Sequence, residues 1–277
     1  MRHILLHGHI FKNAGSTLDW SLRRSFGSSF CEHRDDAAMR EAPRDALAAA
    51  FADASIVALS SHNLPSPPPS IDGIVFHTVF LLRHPIERAL SVYAFERRQQ
   101  AMTPGAQAAK RMSLQDYVAW RLQDDVRPVI RNFQTRFLAG GAVRHGYETL
   151  TPDSVSAAYQ RLTAGVPVGL VERYDASMVA LEAALRPFFP RLDLAYVPQN
   201  VSQKLSRVAD PVAAPDQAAA KEELGPLWEP LLAHNAHDLA LYAAAGTVLD
   251  RCIAALPDAG RDLEQFRQRL AALRQQV

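Results

Sequence analysis

The sequence predicts an α/β protein: a central, mostly parallel sheet flanked by helices, with a helical C-terminal half. Short apolar runs alternate with helical patterns over the first hundred or so residues, as parallel strands joined by crossover helices do. From about residue 113 onward the patterns are nearly all helical. Of 277 residues, 48% are hydrophobic and 21% charged, enough apolar side chain to close a core. No internal repeat and no convincing linker divides the chain, so residues 1–277 are read as one domain.

The first unit reads as a strand over 3–11, a loop over 12–15 and a helix over 16–26. Ser16 and Asp19 form an S-x-x-D capping pattern, and Leu18, Leu22 and Phe26 share one helical face. An alanine-rich helix is expected over 36–53. The short strand Ile56 to Leu59 follows and ends in Ser60-Ser61-His62. PSPPPS at 65–70 can be neither helix nor central strand and is expected to be a surface loop. A third strand, Ile74 to Leu82, runs into Arg83-His84-Pro85, with Pro85 suited to the first turn of a helix over 86–99. One further strand is expected at Val166 to Val171. The last helix carries a seam of Leu263, Phe266, Leu270 and Leu273, expected to pack on the body.

Bulk composition excludes some functions. A net charge of +1 gives no global attraction to nucleic acid or anionic membranes, so an anion site would have to be local. Cys31 and Cys252 form no ligand pattern and read as reduced thiols, with a single long-range disulfide as the other reading. The opening MRHILLHGHIF lacks a secretory apolar region, and no uninterrupted apolar run is long enough to span a membrane. The expected setting is the cytoplasm.

Two stretches carry chemistry. HIFKNAGST (9–17) places small residues and hydroxyls between a strand and a helix, where backbone N–H groups form an anion-binding concavity. Ala14 and Gly15 allow close approach, Ser16 and Thr17 add donors, and Lys12 adds a point charge. The nucleoside-triphosphate loop G-x-x-x-x-G-K-[ST] has its lysine late, beside a magnesium-binding hydroxyl. Here the lysine is early, and no strand ends in an evident metal-holding aspartate. The plain alternative is a capped helix after a strand. In LLRHPIERALSVY (81–93), Arg83 at a strand end and Ser91 two helical turns on can grip a second phosphate. Alternatively, Arg83 pairs with Glu87 and Ser91 fills a helix contact. His7 and His9 on one strand face form an H-x-H pair with no third ligand in evidence, so no metal is expected.

As a pair, these stretches suit a ligand with two well-separated phosphoryl-type groups. Here the sequence resembles the sulfotransferase superfamily, especially its carbohydrate (Golgi-type, family 2) branch. HIFKNAGST is similar to that family's 5′-phosphosulfate loop H-x-P-K-T-[GA]-[GS]-[ST], and LLRHPIERALSVY to its 3′-phosphate motif L-R-[DN]-P-x-x-R-x-x-S-x-[YF]. Further along, Asn132 to Leu138, Val168 to Tyr174, Asn200-Val201-Ser202 and Asn235 to Tyr242 resemble, in order, the branch's N-x-x-T-R-x-L, VGLxERF, N-x-S and N-x-x-D-x-x-L-Y segments. Phe11 stands where the family has proline, and His84 where it has aspartate.

The resemblance implies a P-loop-NTPase-like three-layer fold. It also implies a metal-free transferase that uses 3′-phosphoadenosine 5′-phosphosulfate on a small-molecule or glycan hydroxyl. The animal members' N-terminal anchor has no counterpart in the opening residues, so a soluble, bacterial-type enzyme is expected. Lys12 would stabilise the leaving oxygens, while Asn13, Ala14, Gly15, Ser16 and Thr17 cradle the 5′-phosphate and Arg83 and Ser91 hold the 3′-phosphate. His62, at the end of its strand, takes the place of the family's base; otherwise it is a solvated loop histidine. His9 would line the donor pocket, Arg131 and Arg136 would meet the acceptor, and Asn200 and Ser202 would lie in a loop over the nucleotide. A magnesium-dependent small-molecule kinase and a non-catalytic nucleotide-binding module are the other classes in play.

Overall fold

A computed structural model describes residues 1–141, 148–163, 168–199 and 217–275. Five parallel strands form one sheet: β1 (Arg2–Gly8), β2 (Phe30–Glu32), β3 (Ala58–Ser61), β4 (Ile74–Leu82) and β5 (Gly169–Leu170), in the order β2-β3-β1-β4-β5. β1 lies at the centre, with Gly8 level with Ser61 of β3 on one side and Phe80 of β4 on the other. The C-terminal ends of β1, β3 and β4 therefore finish side by side. In an open parallel sheet that is where ligands bind.

Alternation along the strands separates the two faces. Leu5, Val79 and Leu81 pack with Leu18 and Leu22 of α1 (Gly15–Phe26), Met178 and Leu181 of α9 (Tyr174–Leu185), and Phe266 and Leu270 of α13 (Ala259–Arg274). Ile4, Leu6 and Leu59 face the other way, onto Met39 of α2 (Asp36–Glu41) and Leu47 and Phe51 of α3 (Pro43–Ala52). Phe80 and Leu82 join Phe137 of α7 (Phe133–Ala139), Leu162 of α8 (Pro152–Leu162) and Leu241 of α12 (Ala236–Ala254). A fourth cluster ties α4 (Pro85–Arg98) to α5 (Pro104–Arg111), α6 (Leu114–Arg121), α10 (Gln217–Leu224) and α11 (Trp228–Ala233). The expected three-layer α/β fold with a helical C-terminal half is what forms, and the seam on α13 packs into the core.

Several boundaries differ from expectation. The alanine-rich segment is two helices, because Pro43 opens α3 and holds Ala42 outside the helical region (φ −137°, ψ 63°). β2 is only three residues long, below what periodicity can detect. β1 ends at Gly8, three residues early, which lengthens the loop before α1. Of the strand expected at 166–171, only Gly169–Leu170 pairs, while Val166 and Pro167 lie outside the described residues. Both cysteines are free thiols. Among the described residues no single helix is long and apolar enough to cross a membrane.

Candidate functional site

The segment between β1 and α1 is a tight loop with two non-glycine residues in the left-handed region, Lys12 (φ 66°) and Ala14 (φ 56°). Such conformations persist where surrounding contacts hold them. Asn13, 1% exposed, turns its side chain inward and donates to the Leu81 carbonyl (2.7 Å) and to Gln134 Oε1 (2.7 Å). Arg88, fully buried on α4, donates from Nε to the Phe11 carbonyl (3.1 Å) and from Nη1 and Nη2 to the Val129 carbonyl. The loop carries the N–H groups of Ala14, Gly15 and Ser16 to the head of a 12-residue helix, where they make no hydrogen bond among the described residues. Helix α1 has no acidic residue in its first turn. The positive end of the helix dipole thus falls on these N–H groups.

Two expectations about this loop need correction. Asn13 anchors it from below; its N–H is taken by the Ile10 carbonyl (3.2 Å), so it is not part of the cradle. Gly15 is required because a Cβ there would collide with the His9 ring. No S-x-x-D cap forms: Ala14 is the N-cap residue, and the Asp19 carboxylate points to two histidines instead. Thr17 is buried, and its hydroxyl accepts from the Gln199 N–H (3.1 Å), whereas Ser16 lines the adjoining cleft.

On one side of the loop stands a group of cations. Lys12 Nζ lies 4.6 Å from the centre of the Phe95 ring, and Arg83 Nη1 reaches the Lys12 carbonyl at 3.5 Å. Arg83 does approach Glu87, but only to 4.0 Å, and its buried Nε has no hydrogen-bond partner among the described residues. Burial, then the neighbouring charges of Arg83 and Arg98, push the Lys12 ammonium down to about 8. Ser91, Phe95 and Arg98 recur at helical spacing on α4, which presents one face of that helix to the loop. Ser91 is buried on this face.

On the other side, at the ends of β1, β2 and β3, opens a cleft of about 430 Å³ whose lining includes His9, Ser16, Trp20, Arg34, Ser60 and His62. His62 is at its mouth. A carbonyl can only accept, so the 2.9 Å contact between His62 Nδ1 and the His9 carbonyl places the proton on Nδ1. Nε2 is then the basic nitrogen. Partial burial, then His9 with its ring centre 4.0 Å away, hold the His62 imidazole below its ordinary value. Arg23 (2.8 Å) and Arg34 (2.6 Å) share Glu32 at the rim.

Beneath the cleft, Asp19 accepts from Nδ1 of both His7 (2.7 Å) and His9 (2.9 Å). Burial alone would raise this carboxyl, but the two histidines outweigh it and hold it far below the usual carboxylate range. These three side chains bring candidate ligand atoms within 4.8 Å of one another. Each Nδ1, however, is turned onto a carboxylate oxygen, the arrangement of a hydrogen-bonded triad.

The segments farther along the chain brace this site from behind. Gln134 Oε1 accepts from Asn13 and from the Arg83 N–H (2.8 Å), while its Nε2 donates to the Arg83 carbonyl (2.8 Å). Asp238 on α12 accepts from the N–H groups of Gln134 (3.1 Å) and Thr135 (2.7 Å), and Asn132 Oδ1 accepts from those of His237 and Asp238. Thus α7 and α12 cap each other. Glu172 accepts from the His84 N–H (2.9 Å) and the Tyr242 hydroxyl (2.8 Å). Arg131 binds Asp124 and the Val126 carbonyl, Arg136 the Glu148 carbonyl, and neither lines the cleft. Asn200 and Ser202 lie outside the described residues.

Fold and site together define an α/β protein whose central strand passes through a tight loop into a helix, at the edge of the sheet where open parallel folds bind ligands. No family model matches the chain. An "Uncharacterized protein" of Archaeoglobus fulgidus is 31% identical over 207 residues, 72% of this chain and 80% of that protein. The chain belongs to the same family as that archaeal protein.

Proposed function

We propose that the chain is a sulfotransferase that moves a sulfuryl group from 3′-phosphoadenosine 5′-phosphosulfate to a hydroxyl of a carbohydrate, glycoconjugate or small-molecule acceptor. One observation carries the reading. A single loop separates a group of cations, with no close carboxylate for Lys12 among the described residues, from a cleft whose mouth holds a histidine with a basic Nε2. Donor phosphates suit the first side and a hydroxyl acceptor the second.

Lys12 and the N–H groups of Ala14 to Ser16 would bind the 5′-phosphosulfate, with Arg83 and Ser91 on the 3′-phosphate. His62 Nε2 would take the acceptor proton as the acceptor oxygen bonds to sulfur. The bond from sulfur to the 5′-phosphate oxygen breaks, and its electron pair stays on that oxygen, facing Lys12. For magnesium-dependent transfer from a triphosphate the residues fit less well. β3 ends in Ser60-Ser61 and β4 runs into Arg83-His84, with no aspartate at either end.

Thermal melting tests the donor. With 3′-phosphoadenosine 5′-phosphate at about 100 times its Kd, the fold should gain roughly 2.7 kcal/mol, or roughly 5–10 °C. ATP with magnesium should give much less. Equal shifts, or none with the adenosine bisphosphate, would remove the reading; transfer assays over an acceptor panel then identify the recipient.

A further inference from the structure

Asp19 stands apart from the other two carboxylates of the cleft lining, Glu32 and the exposed Asp36. Glu32 sits at the rim between two arginines, whereas Asp19 is 4% exposed and held between two imidazoles. An ionised carboxylate only accepts, so the Nδ1 atoms of His7 and His9 both donate to it. Ser60 Oγ, 3.1 Å from His7 Nδ1, then accepts a share of that same N–H. His7 Nε2 is left buried without a hydrogen-bond partner among the described residues. A buried anion is a costly device for stability alone. Here it orients two rings stacked 5.2 Å apart, the second of which lies 4.0 Å from His62.

His9 is the pivot. Its Nδ1 is fixed by Asp19, and its Cδ2–Nε2 edge fills the space a Cβ of Gly15 would take at the head of α1. Its main-chain carbonyl accepts from His62 Nδ1. A continuous set of contacts therefore runs from Asp19 on α1, through the residue after β1, to the residue after β3.

We infer that Asp19 is a positioning residue: by holding His9 through Nδ1, it sets the His9 ring at the head of α1 and, through the carbonyl of His9, keeps His62 in the tautomer whose Nε2 faces its proton donor. The inference rests on the sulfotransferase reading for the identity of that donor, the acceptor hydroxyl. Asp19 touches no reacting atom, and its negative charge also favours the imidazolium that His62 becomes during transfer. Besides Asp19, the charged or titratable groups facing His9 and His62 include, among the described residues, His7 from β1, Glu32 with its partners Arg23 and Arg34, and Asp36 from α2.

Two-bond nitrogen–proton spectra of protein labelled with 15N-histidine read each tautomer directly, with His7→Gln, His9→Gln and His62→Gln assigning the signals. In the wild-type protein, His9 and His62 should both be Nδ1–H tautomers. In Asp19→Asn, whose amide cannot accept from both rings, His9 should shift toward the other tautomer. The protonation midpoint of His62 should move to lower pH, because a negative charge has been removed. Turnover should fall about 10²-fold or more, and Asp19→Glu should restore part of it. Wild-type tautomers and an unmoved His62 midpoint in Asp19→Asn overturn the inference, even if turnover is lost, since a packing role alone would give that pattern. If Asp19→Asn does not fold, the wild-type spectrum decides: His9 carrying its proton on Nε2 refutes the role. The melting test with the adenosine bisphosphate uses the wild-type protein alone. Failure there removes the donor and leaves the tautomer result standing, whereas success with an unmoved His62 removes only the part given to Asp19.

Discussion

Lys12 is held where its charge is least comfortable. Its backbone is left-handed, its ammonium is partly buried over Phe95, and Arg83 and Arg98 repel it. An anion arriving between these cations relieves that repulsion, so binding should raise the Lys12 pKa above its free value of about 8. The sign follows from linkage: bound protein holds the proton more tightly, so affinity is fullest below about pH 8 and falls as pH rises through it. Titration calorimetry of 3′-phosphoadenosine 5′-phosphate in two buffers of different ionisation enthalpy should show net proton uptake at about pH 9 and far less at about pH 7. Uptake that is the same at both would show that Lys12 does not meet the ligand. Lys12→Ala should keep the fold and lower turnover by about 10²–10³-fold. His62→Ala should spare binding of the bisphosphate while removing turnover; if turnover survives, the base is elsewhere.

At the scale of elements, the loop is rigid because distant segments converge on it. Gln134 joins the loop to the end of β4, and Asp238 joins Gln134 to α12. Gln134→Ala leaves one N–H of the Asn13 amide and both polar backbone groups of Arg83 without their buried partner. The cost should be roughly 2–4 kcal/mol, read by urea unfolding, together with weaker binding of the bisphosphate. Unchanged binding in a folded variant would mean the loop holds its shape without this brace. Much of this architecture was legible. The strand ending at Leu82, Pro85 at the first helical turn and the loop around Lys12 all sit where periodicity and turn chemistry place them. What lay beyond reach was pairing across the chain. The segments around Asn132 and Asn235 read as two separate patterns, and only folding shows that each caps the other's helix. Asp19 fitted a local capping rule, but His7 on β1 and His9 just beyond it, twelve and ten residues away, claim its oxygens. Arg131 and Arg136 looked free to meet a ligand because nothing in a linear pattern reveals the carbonyls they bind.

The whole molecule turns on how far its C-terminal helices belong to the sheet domain. α12 contributes Asp238 and Tyr242 to the brace behind the loop, and Leu241, Ala245 and Leu249 to the core beside β4. α13 returns to the opposite face, where Phe266, fully buried, packs in one cluster with Leu5 of the central strand, Leu18 of α1 and Tyr196. Arg269 on the same helix bridges Glu182 (2.7 Å) and Asp193, fastening α9 to the segment that follows it. Because this cluster includes side chains on the helix that begins at the Lys12 loop, loosening α13 should be felt at the site. Phe266→Ala should cost about 3–5 kcal/mol by urea unfolding, with loss of the aromatic contact to Tyr196. If α13 and the sheet form one cooperative unit, the unfolding curves read by far-ultraviolet circular dichroism and by tryptophan fluorescence should shift together, since the tryptophans lie outside α13, on α1 (Trp20), α6 (Trp120) and α11 (Trp228). A variant in which helix content is lost at lower urea while the fluorescence midpoint stays at its wild-type value would show α13 to be a separable appendage. The bisphosphate would then be expected to protect the sheet alone. In the cooperative case the ligand stabilises both signals equally, because a loop held by α7, α12 and α1 cannot be ordered without the helices that hold it.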